Sequence, residues 1–285
     1  MKPALSVRKL CKEFPDFALK DITFEIPQGT VFAIIGENGS GKSTTLECIL
    51  GQDIPTSGEI EIYGINPFEN IEAHALVGAA FDSCLFPETF TPAQTAQVLS
   101  GVYSEWDQSR WEKICTECEI PMNRKIRTFS RGMKAKLSLA AALSHHAKLL
   151  ILDEATAGLD PVIREEMIDQ LLEFMQEEDH AILMTSHISS DLERIADYIV
   201  FIRDGQIVFT EDKEKLLSEY GLASVTSEQL EFVDPALICR IRKQAMSTDL
   251  LVGDRTEFRR RYPDYALKAP SLDEIVLMFT RGEEA

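Results

Sequence analysis

Val31-Phe32-Ala33-Ile34-Ile35-Gly36-Glu37-Asn38-Gly39-Ser40-Gly41-Lys42-Ser43-Thr44 decides how the rest of this chain is read. Its first five residues are an unbroken apolar run, the pattern of a strand buried on both faces. They lead into G-x-x-x-x-G-K-[ST], with a helix expected to begin near Lys42. Each residue type has a physical reason. Gly36, Gly39 and Gly41 let backbone N–H groups turn inward and approach an anion with no Cβ in the way. Glu37, Asn38 and Ser40 complete the loop, and the helix start adds the positive end of its dipole. Lys42 places a charge on the β and γ phosphates, the Ser43 hydroxyl suits Mg²⁺, and Thr44 supports the α and β phosphates. The stretch predicts a nucleoside triphosphate site.

Outward from this loop, the pattern alternates. Short β-type runs precede it, including Phe24 and Ile26, with a turn at Pro27-Gln28-Gly29. After it come strands at residues 59–63, behind a Thr56-Ser57-Gly58 turn, and at residues 77–81. Residues 91–145 carry apolar spacings of three and four and read as mostly helical. Alternation resumes with strands at 149–152 and 181–186, a helix over 161–176 between them, and a short helix near Asp191. A hairpin of 199–203 and 206–210 follows, joined by Asp204-Gly205. Strands alternating with helices predict an α/β core with parallel strands.

The run Leu149-Leu150-Ile151-Leu152 ends in Asp153-Glu154. A buried parallel strand presents such acids in the crevice where open α/β sheets bind ligands. Behind a phosphate loop, Asp153 is expected to hold Mg²⁺, and Glu154 to polarise the water that attacks the γ phosphate.

Composition narrows the classes. The chain has 285 residues, 45% hydrophobic and 27% charged, which suits a globular protein of one large or two ordinary domains. Its 47 acids and 29 bases leave a net charge of −18, which disfavours nucleic acid and anionic lipid as partners. No apolar stretch is long enough to span a bilayer, and the start lacks the apolar core of a secretory signal. The six scattered cysteines read as reduced thiols of a cytoplasmic protein; Cys115-x-x-Cys118 has no second ligand pair for zinc. Residues 120–152 hold seven Lys or Arg and no acid. This local reversal of charge suits a segment facing a polyanion, or a basic solvent-exposed face. Residues 211–285 carry 15 acids and 11 bases, mix helical stretches such as 271–279 with short apolar runs, and show no chemical motif. There, Arg259-Arg260-Arg261 reads as a solvated face or an anion patch.

Thr128-Phe129-Ser130-Arg131-Gly132-Met133-Lys134 lies between the loop and the acidic strand, followed by Ala157-Gly158-Leu159-Asp160 and Ser186-His187. Together, in this order and spacing, these segments resemble the ATP-binding-cassette ATPases, in particular the nucleotide-binding subunits of bacterial ABC transporters. The resemblance covers residues 4–210. It implies a P-loop NTPase core with an antiparallel β subdomain, a helical subdomain inserted at about 83–145, and a C-terminal accessory region at 211–285. It also implies a head-to-tail dimer that sandwiches two ATP molecules, in which Ser130 and Gly132 of one subunit face the phosphate loop of the other. Ser130 is a plausible N-cap there, and Gly132 allows close approach. Arg131 and Met133 depart from the usual glycine and glutamine.

By the same resemblance His187 orients the attacking water. Asp160 communicates between sites or caps its own helix, two compatible roles. Asp82 stands where the family has a glutamine sensing Mg²⁺ and γ phosphate. Phe14, with Phe17 as the alternative, stacks on adenine. The implied function is an ATPase subunit powering transport through separate transmembrane permease subunits, on the inner face of the cell membrane. Residues 78–87 and the C-terminal extension look most like exporters of drugs or peptide antibiotics. Two other classes remain in view: a soluble cassette ATPase without transport, and an ATP-dependent regulatory switch with little turnover.

Overall fold

The computed structural model describes residues 2–186, 188–244 and 247–283. In chain order the strands are β1 (Leu5–Glu13), β2 (Ala18–Ile26), β3 (Val31–Ile35), β4 (Ser57–Ile62), β5 (Val77–Phe81), β6 (Leu149–Asp153), β7 (Ala181–Thr185), β8 (Tyr198–Arg203), β9 (Gln206–Asp212), β10 (Gly221–Val225), β11 (Ile238–Lys243), β12 (Thr248–Val252) and β13 (Ala266–Lys268). The helices are α1 (Lys42–Ile49), α2 (Glu72–Ala75), α3 (Pro92–Val102), α4 (Gln108–Glu117), α5 (Arg131–Leu143), α6 (Pro161–Phe174), α7 (Ser189–Ile195), α8 (Lys213–Glu219), α9 (Ser227–Leu230), α10 (Arg255–Arg261) and α11 (Leu272–Arg281).

The central sheet has the order β5-β6-β7-β3-β8-β9, parallel except for β9. β3 and β7 are buried at every residue, as strands covered on both faces must be. The antiparallel β9 returns through Asp204-Gly205, whose positive φ values of 51° and 74° fit a two-residue hairpin turn. Beside this sheet lies the antiparallel sheet β2-β1-β4. β4 starts at Ser57, inside the segment expected to turn, because Ser57 pairs with Cys11 of β1.

Residues 91–145 hold three helices, each started by a cap: Thr91, Asp107 and Ser130. Trp111 is fully buried among them. α5 lies so close over β5 that a Cβ on Gly78 would meet the Ala142 carbonyl oxygen at 2.4 Å. Among the described residues no helix is long and apolar enough to cross a membrane. All six cysteines are free, and burial pushes the Cys115 thiol up to about 12.

The C-terminal part holds an antiparallel sheet that its sequence did not announce. β10-α9-β11-β12-α10-β13 assembles in the order β11-β12-β10-β13, two interlocked split βαβ units of ferredoxin-like type. One face, with Ala223, Val225, Leu250 and Val252, packs on the fully buried Phe258 of α10. From the other, Leu251 joins the main core together with Leu272, Ile275 and Met278 of α11. Arg259, Arg260 and Arg261 end α10, where cations complement the helix dipole. Arg260 and Arg261 pair with Glu257, and Arg261 also with Asp234, so the solvated-face reading of that run fits the structure.

Candidate nucleotide site

The phosphate loop leaves the carboxyl end of β3, between β7 and β8. A Cβ on Gly36 would lie 2.2 Å from the Ile202 carbonyl oxygen, so only glycine lets the loop pass that strand. Gly39 and Gly41 have φ of 80° and 113°, conformations that L side chains rarely adopt. The Gly205 N–H donates to the Ser40 carbonyl at 3.0 Å, tying the loop to the β8–β9 turn. α1 starts with no side-chain cap and no acid in its first turn, which leaves its positive end uncompensated by its own residues.

Lys42 is 7% exposed, and its Nζ donates to the carbonyls of Gly36 at 2.9 Å and Glu37 at 3.1 Å. Burial lowers its pKa, while the nearby carboxylates of Glu154 and Asp153 act in the opposite sense. The Ser40 hydroxyl is buried in the same loop with no hydrogen-bond partner among the described residues. A loop with a desolvated ammonium, an orphaned hydroxyl and a bare helix start has the chemistry to receive an anion.

Lys42 opens on a cleft of about 450 Å³, whose walls include Asn38, Gly39, Gly41, Ser43 and Thr44. Glu154 stands on the same cleft, as do Asp16 and Phe17. Phe14 does not line it: that ring is 41% exposed and carries the Lys12 ammonium 5.2 Å from its centre. The structure thus brings the alternative aromatic, Phe17, to the site.

Asp153 ends β6 in register with Phe81 on one side and Thr185 on the other. Thr185 fastens both acids: its hydroxyl donates to Asp153 Oδ1 at 2.5 Å and accepts from the Glu154 N–H at 3.0 Å. Glu154 has φ of 50°, a left-handed conformation that costs a non-glycine residue roughly 1–2 kcal/mol and persists where the surroundings hold it. The sequence signal for Thr185 was faint, a hydroxyl at the end of an apolar run. Asp82 follows Phe81 and is exposed beside the Asp153 end of the sheet, outside the walls of the cleft. His187 lies outside the described residues.

Ser130 and Gly132 do not line the Lys42 cleft of their own chain. Ser130 caps α5, its Oγ accepting from the Met133 N–H at 3.2 Å. Gly132 meets α6: a Cβ there would lie 2.2 Å from Ile163 Cδ1. Arg131 folds against the following turn, where a Cβ on Gly158 would lie 2.7 Å from its Nη1. Asp160 caps α6, accepting from the N–H groups of Val162 and Ile163 at 3.1 Å. The basic stretch is partly neutralised within the chain, since Lys134 pairs with Glu88, Lys136 with Glu166 and Lys148 with Asp179. Arg124, Lys125, Arg127 and Arg131 make no ion pair among the described residues, so the surplus positive charge sits on either side of Ser130.

A glycine loop between a buried strand and a helix, with paired carboxylates at the end of the parallel strand one beyond its neighbour, defines a P-loop NTPase. The comparisons with known proteins narrow that class. Residues 19–157 match the ABC transporter family model. The ABC transporter ATP-binding protein YtrB of Bacillus subtilis is 30% identical over 217 residues, covering 76% of this chain and 74% of that protein. The bacitracin transport ATP-binding protein BcrA of Enterococcus faecalis is 28% identical over 261 residues, 90% of this chain and 83% of its own. Among solved structures, an ABC transporter ATP-binding subunit superposes with a TM-score of 0.69 at 25% identity, covering 75% of this chain and 91% of that one. An ATP-binding cassette dimer bound to ADP and phosphate has the same fold, with a TM-score of 0.63 at 21% identity over 73% of this chain and 98% of that one. The chain belongs to the ABC transporter family as an ATP-binding subunit, and it is an ATPase.

Proposed function

We propose that this chain hydrolyses Mg²⁺-ATP to power export through a separate permease, from the inner face of the cell membrane. The division of labour places the ATPase in residues 1–210 and an accessory role in 211–285. The observation that carries the reading is Lys42, a buried ammonium held inside the glycine loop with Glu154 across the same cleft. An entering triphosphate would exchange the Gly36 and Glu37 carbonyls for charge-assisted bonds from Lys42 to its β and γ oxygens. The loop N–H groups and the α1 start would stabilise charge developing on the transferring group. Glu154 would accept the proton of the water attacking in line. Phe17, in place of Phe14, would stack on adenine.

The oxygen donors suit Mg²⁺: a hydroxyl from Ser43 and a carboxylate from Asp153, with Asp82 at the adjacent strand end. Such a donor set suits an ion that keeps several waters and takes phosphate oxygens. Bound there, Mg²⁺ would neutralise the β and γ oxygens. A second subunit, the same chain or a related one, would close the site with Ser130 and Gly132. For the permease, a groove of about 210 Å³ lies between the helical subdomain and the β5 edge of the central sheet, lined by Val77, Ala79, Phe86, Leu99, Tyr103 and Ala142. Leu85 and Val102, 68% and 69% exposed, add unpartnered apolar surface on the same segments. The bacitracin-transport relatives support export of a peptide antibiotic or similar drug.

Replacing Glu154 with Gln tests the mechanism. ATP binding is expected to survive while turnover falls by about 10²–10⁴, and size-exclusion chromatography is expected to show a dimer only when ATP is present. Full turnover in that variant removes Glu154 from the chemistry. Purification of the tagged chain from solubilised membranes without any permease would remove transport.

A further inference from the structure

The short helix α7 is held from two sides. Toward the turn that follows Glu154, its Asp191 is 4% exposed, accepts from Thr156 Oγ1 at 2.9 Å, and meets Arg164 Nε at 3.2 Å. Thr156 stands two residues beyond Glu154, and Arg164 lies in the first turns of the helix that Asp160 caps. One buried carboxylate therefore bridges both ends of the turn that begins at Glu154. Removing it leaves a hydroxyl and a guanidinium short of their shared partner.

The other side of α7 carries the C-terminal module. The Ser189 hydroxyl donates to the Asp273 carboxylate, and the Leu272 N–H donates to Glu193 Oε1 at 3.2 Å. Both Leu272 and Asp273 open α11. That helix is anchored in turn: the Phe279 ring packs on Phe209 at 4.8 Å and Phe201 at 6.0 Å, and the Phe279 carbonyl accepts from Arg203 Nη1 at 2.9 Å. At its far end Glu283 bridges to Ile241 of β11. An unbroken chain of contacts thus runs from the ferredoxin-like sheet through α11 and α7 to the turn behind Glu154.

We propose that Asp191 is a positioning residue for hydrolysis, and that the C-terminal module sets its position through the α11–α7 contact. The inference rests on the reading of Glu154 as the base. A left-handed Glu154 needs its surroundings to hold it, and a small displacement of a catalytic carboxylate lowers turnover far more than binding. Contiguity alone does not establish coupling; a double-mutant cycle does.

The experiment measures steady-state Mg²⁺-ATP hydrolysis and equilibrium binding of a fluorescent ATP analogue on the full chain. Asp191→Asn is expected to lower kcat about tenfold with analogue affinity held, and Asp191→Glu to restore part of the loss. Asp273→Ala, at the remote end, is expected to lower kcat about twofold to fivefold, again at constant affinity, and to speed hydrogen exchange across residues 154–160. In the Asp191→Asn background, Asp273→Ala is expected to do nothing more. If Asp191→Asn fails to fold, Thr156→Val takes its place in the cycle. The proposal is overturned if Asp273→Ala keeps the parent kcat, or if the two losses multiply independently. A parent chain with no hydrolysis, or a Glu154→Gln variant at full rate, overturns the reading of Glu154 and this inference with it, a pattern distinct from the first two.

Discussion

The ATPase part and the C-terminal module are both sheets with packed helices, yet they are written in the sequence very differently. Around the nucleotide cleft the strands read Val31-Phe32-Ala33-Ile34-Ile35 and Leu149-Leu150-Ile151-Leu152, because both faces of a parallel sheet are covered. In the module, β11 reads Ile238-Cys239-Arg240-Ile241-Arg242-Lys243, and β13 has only three residues. The charges differ as well. Lys42 is buried against backbone carbonyls and faces the cleft, whereas Arg260 and Arg261 are spent on Glu257 and Asp234. The contrast teaches that anion binding leaves a strict trace, since it demands glycine-only backbone and an uncapped helix start. A supporting sheet demands only adequate burial.

The sharpest way to break this contrast is a matched pair of charge deletions. Lys42→Ala is expected to weaken ATP binding at least about a hundredfold, while Arg260→Ala leaves it unchanged; calorimetric titration of both variants checks this. Next in size, Phe258→Ala empties the core of the module and is expected to cost it about 3–5 kcal/mol. Denaturation followed by hydrogen exchange should find residues 221–268 opening first, with ATP affinity kept.

Smaller still is the choice between two phenylalanines. Phe17→Ala is expected to weaken ATP binding about threefold to tenfold, and Phe14→Ala not at all. An effect confined to Phe14 would restore the expectation drawn from the sequence. The smallest effect concerns His145, buried between α5 and β5 with its ring nitrogens 3.2 Å from the Ala141 oxygen and 3.0 Å from the Val77 oxygen. Burial holds its pKa below the ordinary value, against the two carbonyls, which raise it. The unfolded chain therefore takes up a proton near pH ~6.5 that the folded chain refuses, so stability falls as pH drops through that range. Urea denaturation between about pH 7 and about pH 5 should show a steeper loss for the parent than for His145→Gln.

The loop from Gly36 to Thr44, the Asp153-Glu154 strand end and most strand and helix positions of the first 212 residues were legible from periodicity and spacing, while the Ser130 and Asp160 caps came with the family resemblance. Other features were not. Phe14 and Phe17 are both aromatics near a strand boundary, and only the path of β1 into β2 decides which ring meets the cleft. Thr185 and Asp191 are far from Glu154 along the chain, and no local pattern reports a contact made across parallel strands or between helices. The surplus charge of residues 120–152 was visible, but its cancellation by Glu88, Glu166 and Asp179 was not, because those acids arrive from other elements.

By itself, the order of residues carried the phosphate-loop pattern and two carboxylates at the end of a buried strand. Those chemistries need particular residue types within a few positions of each other, which a one-dimensional pattern can hold. Only the tertiary structure decided which aromatic faces the cleft, which hydroxyl fastens Asp153 and Glu154, and that residues 221–268 close into a sheet tied to α7. Each of these depends on contacts between distant segments, whose energies are set by packing and leave no local signature.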